Sequence, residues 1–375
     1  MLMTTPLPAH AAQPIRRRLA ALAHPVRPHV WRSALTLDLS KASFAVPVRV
    51  GVAVGGVLIV GGLLGLTDIA GFAALGALVA AFCRPDPYRV RSGRLAALGV
   101  GMVLATLVGA VIGVSGGALV TEIVVIALLA GAAAAFIASV RIAGPGAVVF
   151  VFAAAAAAGA VHDAAGLGRA VVATAVGAAC GMLASLAPWL WRNLIRALRH
   201  DDSADPDAPT VQYESVFTAV GRVRETPLVI NAARTMAAAA ASAAIAAAAG
   251  FAHPLWAAMG AVAALQGITY HVTVTRGLAR LLGNVAGAAI AAALLAVPLG
   301  FWGAVVAIIL FQTIAEITAP VNYTVASSVV TPMALLLTAL GAGLSPAAAI
   351  DRVADTLIGI VVGIVIAALT ITPHD

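Results

Sequence analysis

Ionisable side chains inside apolar segments are the residues of this sequence whose chemistry stands out. Glu316 lies in a hydrophobic stretch four residues after Gln312, so the two side chains share one face of a helix. A carboxylate in such a place can take up and release a proton, because burial favours its neutral form. An ion pair with a loop arginine explains Glu316 equally well. Both interpretations stay open, and the first makes Glu316 a candidate for proton coupling.

Arginines at the ends of apolar segments form a second set of candidates. Arg169 and Arg352 each come shortly before a threonine and two glycines spaced four apart, which predicts equivalent positions at the outer mouths of two related helices. Two such cations suit an organic anion. Asp355 follows Arg352 by three residues and is either its intrahelical partner or a second proton-coupling group. Arg49 and Arg234 open two further apolar segments, as topology anchors or as additional anion contacts.

Hydroxyl side chains form the third set. Thr324, Ser327, Ser328 and Thr331 recur at spacings of three, four and seven residues, so they share one face of a helix. Pro332 lacks an amide hydrogen and leaves the carbonyl of Ser328 without its usual partner. A polar face beside a freed carbonyl predicts a path for a solute. Hydrogen bonds from these hydroxyls to neighbouring helices are the alternative.

The segments that must position these groups are membrane helices. Hydrophobic residues make up 62% of the 375 residues and charged residues 10%, against about 25% charged in soluble domains. The apolar runs have roughly the 17–25 residues that a helix needs to cross a bilayer, and they lack the alternation of barrel strands. We therefore predict an all-α polytopic membrane protein with about twelve spans, at 47–66, 70–83, 95–114, 119–140, 144–160, 168–190, 233–250, 254–270, 277–297, 300–318, 321–341 and 350–371.

The basic residues predict the topology. With the N-terminus inside, 20 of the 22 lysines and arginines fall on the cytoplasmic side, and only Arg169 and Arg352 fall outside. Both termini are then cytoplasmic. The predicted divisions are a leader at 1–46 with an interfacial helix from about 29 to 44, a first repeat at 47–190, a linker at 191–232 and a second repeat at 233–371.

An internal repeat supports this division. Glycines recur at a constant offset of 184 positions across two helices and the link between them, in the pairs Gly76 and Gly260, Gly93 and Gly277, and Gly99 and Gly283. Six spans per copy is an even number, so both copies enter the membrane from the same side. They should be parallel repeats, related by an axis along the membrane normal.

Several function classes are excluded by missing motifs. The sequence has no Gly-x-x-x-x-Gly-Lys-Ser/Thr loop for ATP and no His-Glu-x-x-His, and no nucleophile–base spacing suggests an enzyme. Cys83 and Cys180 have no spacing for a metal site, so neither metal nor cofactor is expected. The basic residues are distributed among loops, which indicates topology rather than a nucleic-acid surface.

Three stretches of the second copy carry a resemblance to a known family. They are Arg276-Gly277-x-x-Arg280-x-x-Gly283, Asn322-Tyr323-Thr324 followed by Thr331-Pro332, and Arg352-x-x-Asp355-Thr356-x-x-Gly359. Residues 232–371 resemble the fusaric-acid-resistance-type (FUSC) membrane transporters, relatives of the aromatic acid exporters, and the first copy resembles the same unit more weakly. The chain departs from that pattern in lacking a large cytoplasmic domain between its halves, and in having Asn284 where the family usually has threonine.

The resemblance implies an inner-membrane exporter of organic, often aromatic, anions, driven by the proton gradient. Its partners would be small organic anions, protons and the lipid bilayer. A passive organic-anion channel and a non-transporting membrane scaffold are the alternatives. The sequence leaves substrate, coupling ion and formation of a homo-oligomer open.

Overall fold

The chain folds into helices joined by short links. A computed structural model describes residues 21–42, 44–199, 214–266, 270–343 and 345–370, and these ranges contain no strand. Membrane-spanning segments require such a solution, because a helix satisfies its backbone polar groups internally. The predicted all-α class is confirmed.

The first half holds the helices α1 to α7. α1 is Pro28–Leu35, α2 is Ala45–Leu63, α3 is Thr67–Ala77 followed by a 3-10 segment over Leu78–Ala81, α4 is Tyr88–Ser115, α5 is Leu119–Val140, α6 is Val148–Ala160 and α7 is Ala164–Arg199. α7 contains Pro188 and runs nine residues past the predicted end of the sixth span.

The second half follows with α8 to α14. α8 is Val216–Val220, α9 is Thr226–Ala248, α10 is Leu255–Ala264, α11 is Tyr270–Leu295, α12 is Gly300–Thr318, α13 is Tyr323–Ala342 and α14 is Ala347–Leu369. α11 begins seven residues before the predicted span at 277, and α4 begins seven residues before the span at 95. The arginines near those predicted boundaries therefore lie inside helices.

Helix length divides the apolar helices into two groups. Among the residues that the structure describes, nine helices are long and apolar enough to cross a membrane: α2, α4, α5, α7, α9, α11, α12, α13 and α14. Three others, Thr67–Ala81, Val148–Ala160 and Leu255–Ala264, are shorter. They occupy the places of the predicted second, fifth and eighth spans. A multi-pass membrane protein is thus confirmed, while the count of twelve spans stays a prediction.

Small residues let these helices approach each other closely. A β-carbon built on Gly177 of α7 would lie 1.8 Å from the carbonyl oxygen of Ala73 in α3, and one built on Gly359 of α14 would lie 2.2 Å from that of Ala257 in α10. Lipid gives helices no hydrophobic reason to associate, so close van der Waals contact must hold them together. Any larger side chain at these two glycines would force the helix pairs apart.

The same helix pairings recur in both halves. In the first half α3 packs on α7 and α4 on α6, and in the second half α10 packs on α14 and α11 on α13. Between the halves, α2 packs on α12 and α5 packs on α9. This recurrence is what a duplicated unit would produce.

The segment before α2 packs on the second half of the protein. Val30 of α1 is 2% exposed and lies against α11, and the Tyr270 hydroxyl donates to the Ala21 carbonyl at 2.6 Å. The side-chain amide of Asn322, just before α13, donates to the Ala34 and Thr36 carbonyls at 3.1 and 2.8 Å. The predicted interfacial helix is therefore shorter than expected, since α1 covers only Pro28–Leu35, and it packs against the helix bundle. Residues 1–20 of the predicted leader and 200–213 of the predicted linker lie outside the described residues.

Candidate functional site

An internal cavity of about 330 Å³ lies between the two halves. The first half contributes residues of the α3 to α4 link, the 144–145 link and α6, and the second half contributes residues of α10 to α14. The described lining residues are Leu78, Ala81, Arg84, Gly144, Pro145, Val148, Val149, Phe152, Met259, Arg276, Arg280, Gln312, Ala315, Glu316, Ala319, Pro320, Tyr323, Ala326, Ser327, Val330, Met333, Ala334 and Arg352.

The three short apolar helices all meet at this cavity. The 3-10 segment after α3 contributes Leu78, α6 contributes Phe152, and α10 contributes Met259. Helix ends inside a membrane protein are tolerated where they are buried in protein or line a cavity. The first such end is satisfied by Arg49 of α2, whose guanidinium donates to the carbonyls of Ala80 and Phe82 at 2.9 and 3.1 Å.

Arg352 of α14 is the most buried charge in the cavity wall, at 5% exposure. Its guanidinium contacts two polarisable groups, the Met259 sulfur at 3.7 Å and the Trp256 ring, whose centroid lies 5.2 Å away. Among the described residues no carboxylate lies within 4.0 Å of it. A buried guanidinium without an anionic partner is costly unless a ligand supplies one.

The backbone of Arg352 is fixed by a small polar network. The Asn284 amide of α11 donates to the Arg352 carbonyl at 3.0 Å and accepts from the Thr331 hydroxyl of α13 at 2.9 Å. Asn284 is 2% exposed, so these bonds join α11, α13 and α14 in a water-poor interior. Asn284 stands fourteen residues into the 26-residue helix α11, which places Arg352 near half the length of that helix.

The Trp256 ring that Arg352 contacts is itself packed against His253. The two rings are stacked, with centroids 4.2 Å apart. Burial lowers the pKa of His253 below its ordinary value of 6.5, opposed by Asp351 and assisted by Arg352. The imidazole is therefore neutral at neutral pH and adds no second positive charge beside Arg352.

Arg276 and Arg280, one turn apart on α11, form a second basic group. The Arg276 guanidinium lies 4.4 Å from the centroid of the Tyr323 ring, and Arg280 donates to the Tyr323 hydroxyl at 3.3 Å. The Nε atoms of both arginines are buried without a hydrogen-bond partner among the described residues. Tyr323 thus orients two cations toward the cavity while leaving donors unused.

Arg84 and Glu316 form an ion pair across the two halves. Arg84 Nη2 contacts Glu316 Oε2, with the Glu316 side chain 7% exposed and that of Arg84 27% exposed. Gln312 Nε2 donates to Glu316 Oε1 at 2.9 Å, which confirms that these two side chains share a helix face. Four arginines and one glutamate are the charged groups among the described lining residues, so the cavity is electropositive.

Asp355 is completely buried one turn beyond Arg352. Neither of its carboxylate oxygens has a hydrogen-bond partner in the part of the chain that the structure describes. An ionised carboxylate there has the charge of Arg352 one turn away and no hydrogen-bond donor among the described residues, so it is costly to bury. Asp355 is not among the described residues that line the cavity.

The four predicted hydroxyls are divided between cavity, helix contact and surface. Ser327 lines the cavity, and its hydroxyl has no partner among the described residues. Thr331 binds Asn284, Thr324 donates to the Ala34 carbonyl at 2.7 Å, and Ser328 donates to the carbonyl of Val325. The structure therefore brings one of the four to the cavity, and a pathway role for the set stays a prediction.

The remaining predicted arginines do not join the cavity. Arg49 holds the end of the α3 segment, and Arg234 lies half-buried on α9. Arg169 is paired with Asp68 at 2.7 Å, with both side chains about half exposed. Arg352 alone of the four contributes to the cavity among the described residues.

The expected equivalence of Arg169 and Arg352 is wrong by one residue. Gly177 of α7 packs on the Ala73 carbonyl of α3, and Gly359 of α14 packs on the Ala257 carbonyl of α10 in the same way. These matched contacts fix the register between α7 and α14. In that register Arg352 corresponds to the fully buried Ala170, and Arg169 corresponds to Asp351. One residue is about 100° of helix rotation, which turns Arg169 to the surface and Arg352 inward.

Sequence reasoning missed Arg84, Arg276, Arg280 and Tyr323 as cavity residues. All three arginines were assigned to loops as topology signals, because the predicted spans began after them. The signal that could have found two of them is the four-residue spacing of Arg276 and Arg280, which places both on one helix face.

The fold and the cavity define a multi-pass helical membrane protein with a buried electropositive site. A family model described as "Fusaric acid resistance protein-like" matches residues 239–366. Residues 239–366 are therefore similar to that family, which confirms the resemblance predicted from the second-copy motifs. No curated protein and no solved structure matches the chain.

Proposed function

We propose that this protein is a secondary transporter of the inner membrane that exports small organic anions, aromatic acids foremost, with proton coupling. The observation that carries the proposal is Arg352: a buried guanidinium in a cavity wall, faced by sulfur and indole and by no described carboxylate. A carboxylate ligand would supply the missing countercharge. The family match of residues 239–366 supports transport as the activity.

The rest of the wall suits an amphipathic ligand. Phe152, Met259 and Met333 add apolar and polarisable surface to the cavity wall. A volume of about 330 Å³ lies at the small end of ligand sites, which run from about 300 to 1,000 Å³. One aromatic ring with one acidic group fits both the chemistry and the size.

Two buried carboxylates support coupling to protons. Glu316 lies in the cavity wall, and Asp355 lies one turn from Arg352 without hydrogen-bond donors among the described residues. Ionisable groups at membrane depth commonly mark ion and proton routes. We assign proton coupling to these two groups.

The proposed architecture is two parallel six-helix repeats with both termini in the cytoplasm. The recurrent helix pairings and the 184-residue offset of glycines support the repeat. The distribution of lysine and arginine supports the orientation. The three short apolar helices would then reach only part of the way across and end at the cavity.

Vesicles that contain the purified protein test the proposal. They are loaded with radiolabelled benzoate and compared with protein-free vesicles. In one set a pH difference is imposed while potassium and valinomycin hold the voltage at zero, and in the other a potassium diffusion potential is imposed at equal pH. A proton-coupled carrier changes its benzoate flux with the pH difference. Flux that follows voltage and ignores pH would indicate a passive anion channel instead, and vesicles without flux would indicate a scaffold.

A further inference from the structure

The Arg84–Glu316 pair joins the two halves at the cavity wall. Arg84 comes from the link after α3 and Glu316 from α12, and both line the cavity. The glutamate is the only acid among the described lining residues, and its partner is the most exposed member of the pair. One arginine of the proposed anion site, Arg84, is therefore already paired with a carboxylate of the protein, that of Glu316.

We propose that Arg84 is a second anion-binding point, and that a ligand carboxylate or sulfonate binds it by taking the place of the Glu316 carboxylate, which accepts a proton. The inference rests on the proposed function and specifies how binding of the substrate anion is linked to binding of the proton. No bond other than the O–H of Glu316 forms, and the proton comes from solvent. The arginine keeps one anionic partner before and after the exchange.

Gln312 is placed to accept the displaced group. Its Nε2 donates to Glu316 in the present state, while its Oε1 is buried and has no partner among the described residues. A protonated Glu316 is a hydrogen-bond donor and needs an acceptor. Rotation of the Gln312 amide by about half a turn offers Oε1 to it, so both protonation states are satisfied on one helix turn.

The other charged groups around Glu316 are arginines. Arg84 and Arg49 face it from the first half, and Arg276, Arg280 and Arg352 lie around the same cavity; arginine stays protonated in proteins. Burial, with a smaller contribution from Asp86, raises the pKa of Cys83 to about 12, so that neighbour stays a neutral thiol. The Tyr323 hydroxyl is engaged by Arg280. Among the described residues that line the cavity, Glu316 is therefore the acid whose charge can change when the anion binds.

The exchange determines that binding of the anion and binding of the proton strengthen each other. Because the anion binds better when Glu316 is protonated, the proton binds better when the anion is present. Anion and proton then cross together, one of each per cycle. Export by this route is electroneutral and follows the gradient of the acid itself; it is not driven by the proton gradient, which the family resemblance implies as the driving force.

Proton uptake on binding tests the inference directly. The full-length protein in weakly buffered detergent solution is titrated with benzenesulfonate, which stays ionised at all pH values used. We expect about one proton taken up per anion bound, and an affinity that rises about tenfold for each unit of pH decrease while Glu316 is ionised. Glu316→Gln should bind without proton uptake and with no pH dependence, and Arg84→Gln should bind weakly at every pH.

Asp86→Asn is the matched control. Asp86, in the same link as Arg84, forms an ion pair with Arg94 of α4 at 2.8 Å, and neither is among the described residues lining the cavity. Its proton uptake should equal that of the wild type. Binding by the wild type without proton uptake would overturn the inference and leave the proposed function standing, and this result does not depend on whether any variant folds. Absence of benzenesulfonate and benzoate binding by every protein would overturn both.

Discussion

Replacing Arg352 with glutamine should separate ligand binding from stability. In the ligand-free protein the guanidinium is 5% exposed and is paired with no described carboxylate. A bound anion would form a desolvated charge pair with it, and truncating one side of such a pair costs about 2–5 kcal/mol. At about 1.4 kcal/mol per factor of ten, the dissociation constant for benzoate should rise by a factor of about 25 or more.

The stability of Arg352→Gln should stay unchanged or increase. Removing a buried, unpaired cation removes its desolvation cost, which amounts to several kcal/mol. Thermal unfolding of the detergent-solubilised protein measures this, and isothermal titration with benzoate measures binding. The two readouts should move independently or in opposite directions.

Arg169→Gln is the matched control for the same substitution. Arg169 forms a half-exposed pair with Asp68, and such surface pairs contribute about 0–1 kcal/mol. Its benzoate affinity should equal that of the wild type. Equal losses of affinity in both variants, or a fall in unfolding temperature that accounts for the loss in Arg352→Gln, would refute the role given to Arg352.

Three further perturbations address the fold and its N-terminal clasp. Gly177→Ala would put a methyl group 1.8 Å from a backbone oxygen of α3, so we expect its free energy of unfolding to fall by about 1–3 kcal/mol or more. Gly168→Ala is the control in the same helix. Its methyl group meets open space, so the free energy of unfolding should stay unchanged or rise slightly. Asn322→Ala removes the α13 cap and two bonds to the N-terminal segment and should cost about 2 kcal/mol or more, measured as faster hydrogen exchange in residues 21–42. Burial, and then the neighbouring imidazole of His271, lowers the pKa of His24 below its ordinary 6.5. The packing of that segment should be complete above pH 6.5 and weaken as pH falls through the lowered value, as followed by the fluorescence of Trp31; an unchanged pH profile in His24→Gln would contradict this.

Hydropathy and motif spacing were enough to predict the helical membrane class and the family of the second half. They also placed Glu316 and Gln312 on one face, since a four-residue spacing on a helix fixes that geometry. Span boundaries were less predictable. A charged residue lowers the hydropathy of any window that contains it, so the predicted span at 277 excluded Arg276 and reached α11 seven residues late.

Arg352 shows a second limit of prediction from sequence, which concerns the direction in which a helical side chain points. A pattern of threonine and glycines located Arg169 and Arg352 in related helices, but a resemblance in spacing tolerates a shift of one residue. Orientation on a helix does not, because each residue turns the side chain by about 100°. Only the contacts of Gly177 and Gly359 with their neighbouring helices established which arginine faces inward.

The charges of the cavity are shared unequally between the halves. The second half brings Arg276, Arg280, Arg352 and Glu316, whereas the first half brings Arg84 and an apolar wall on α6. If the halves tilt against each other during a transport cycle, the three arginines of the second half travel as one rigid group. Such a tilt must stretch the ion pair between Arg84 and Glu316, and with it the attraction between Arg49 and Glu316. The two copies would thus have diverged so that the contact between them now contains an ion pair that breaks when the halves tilt.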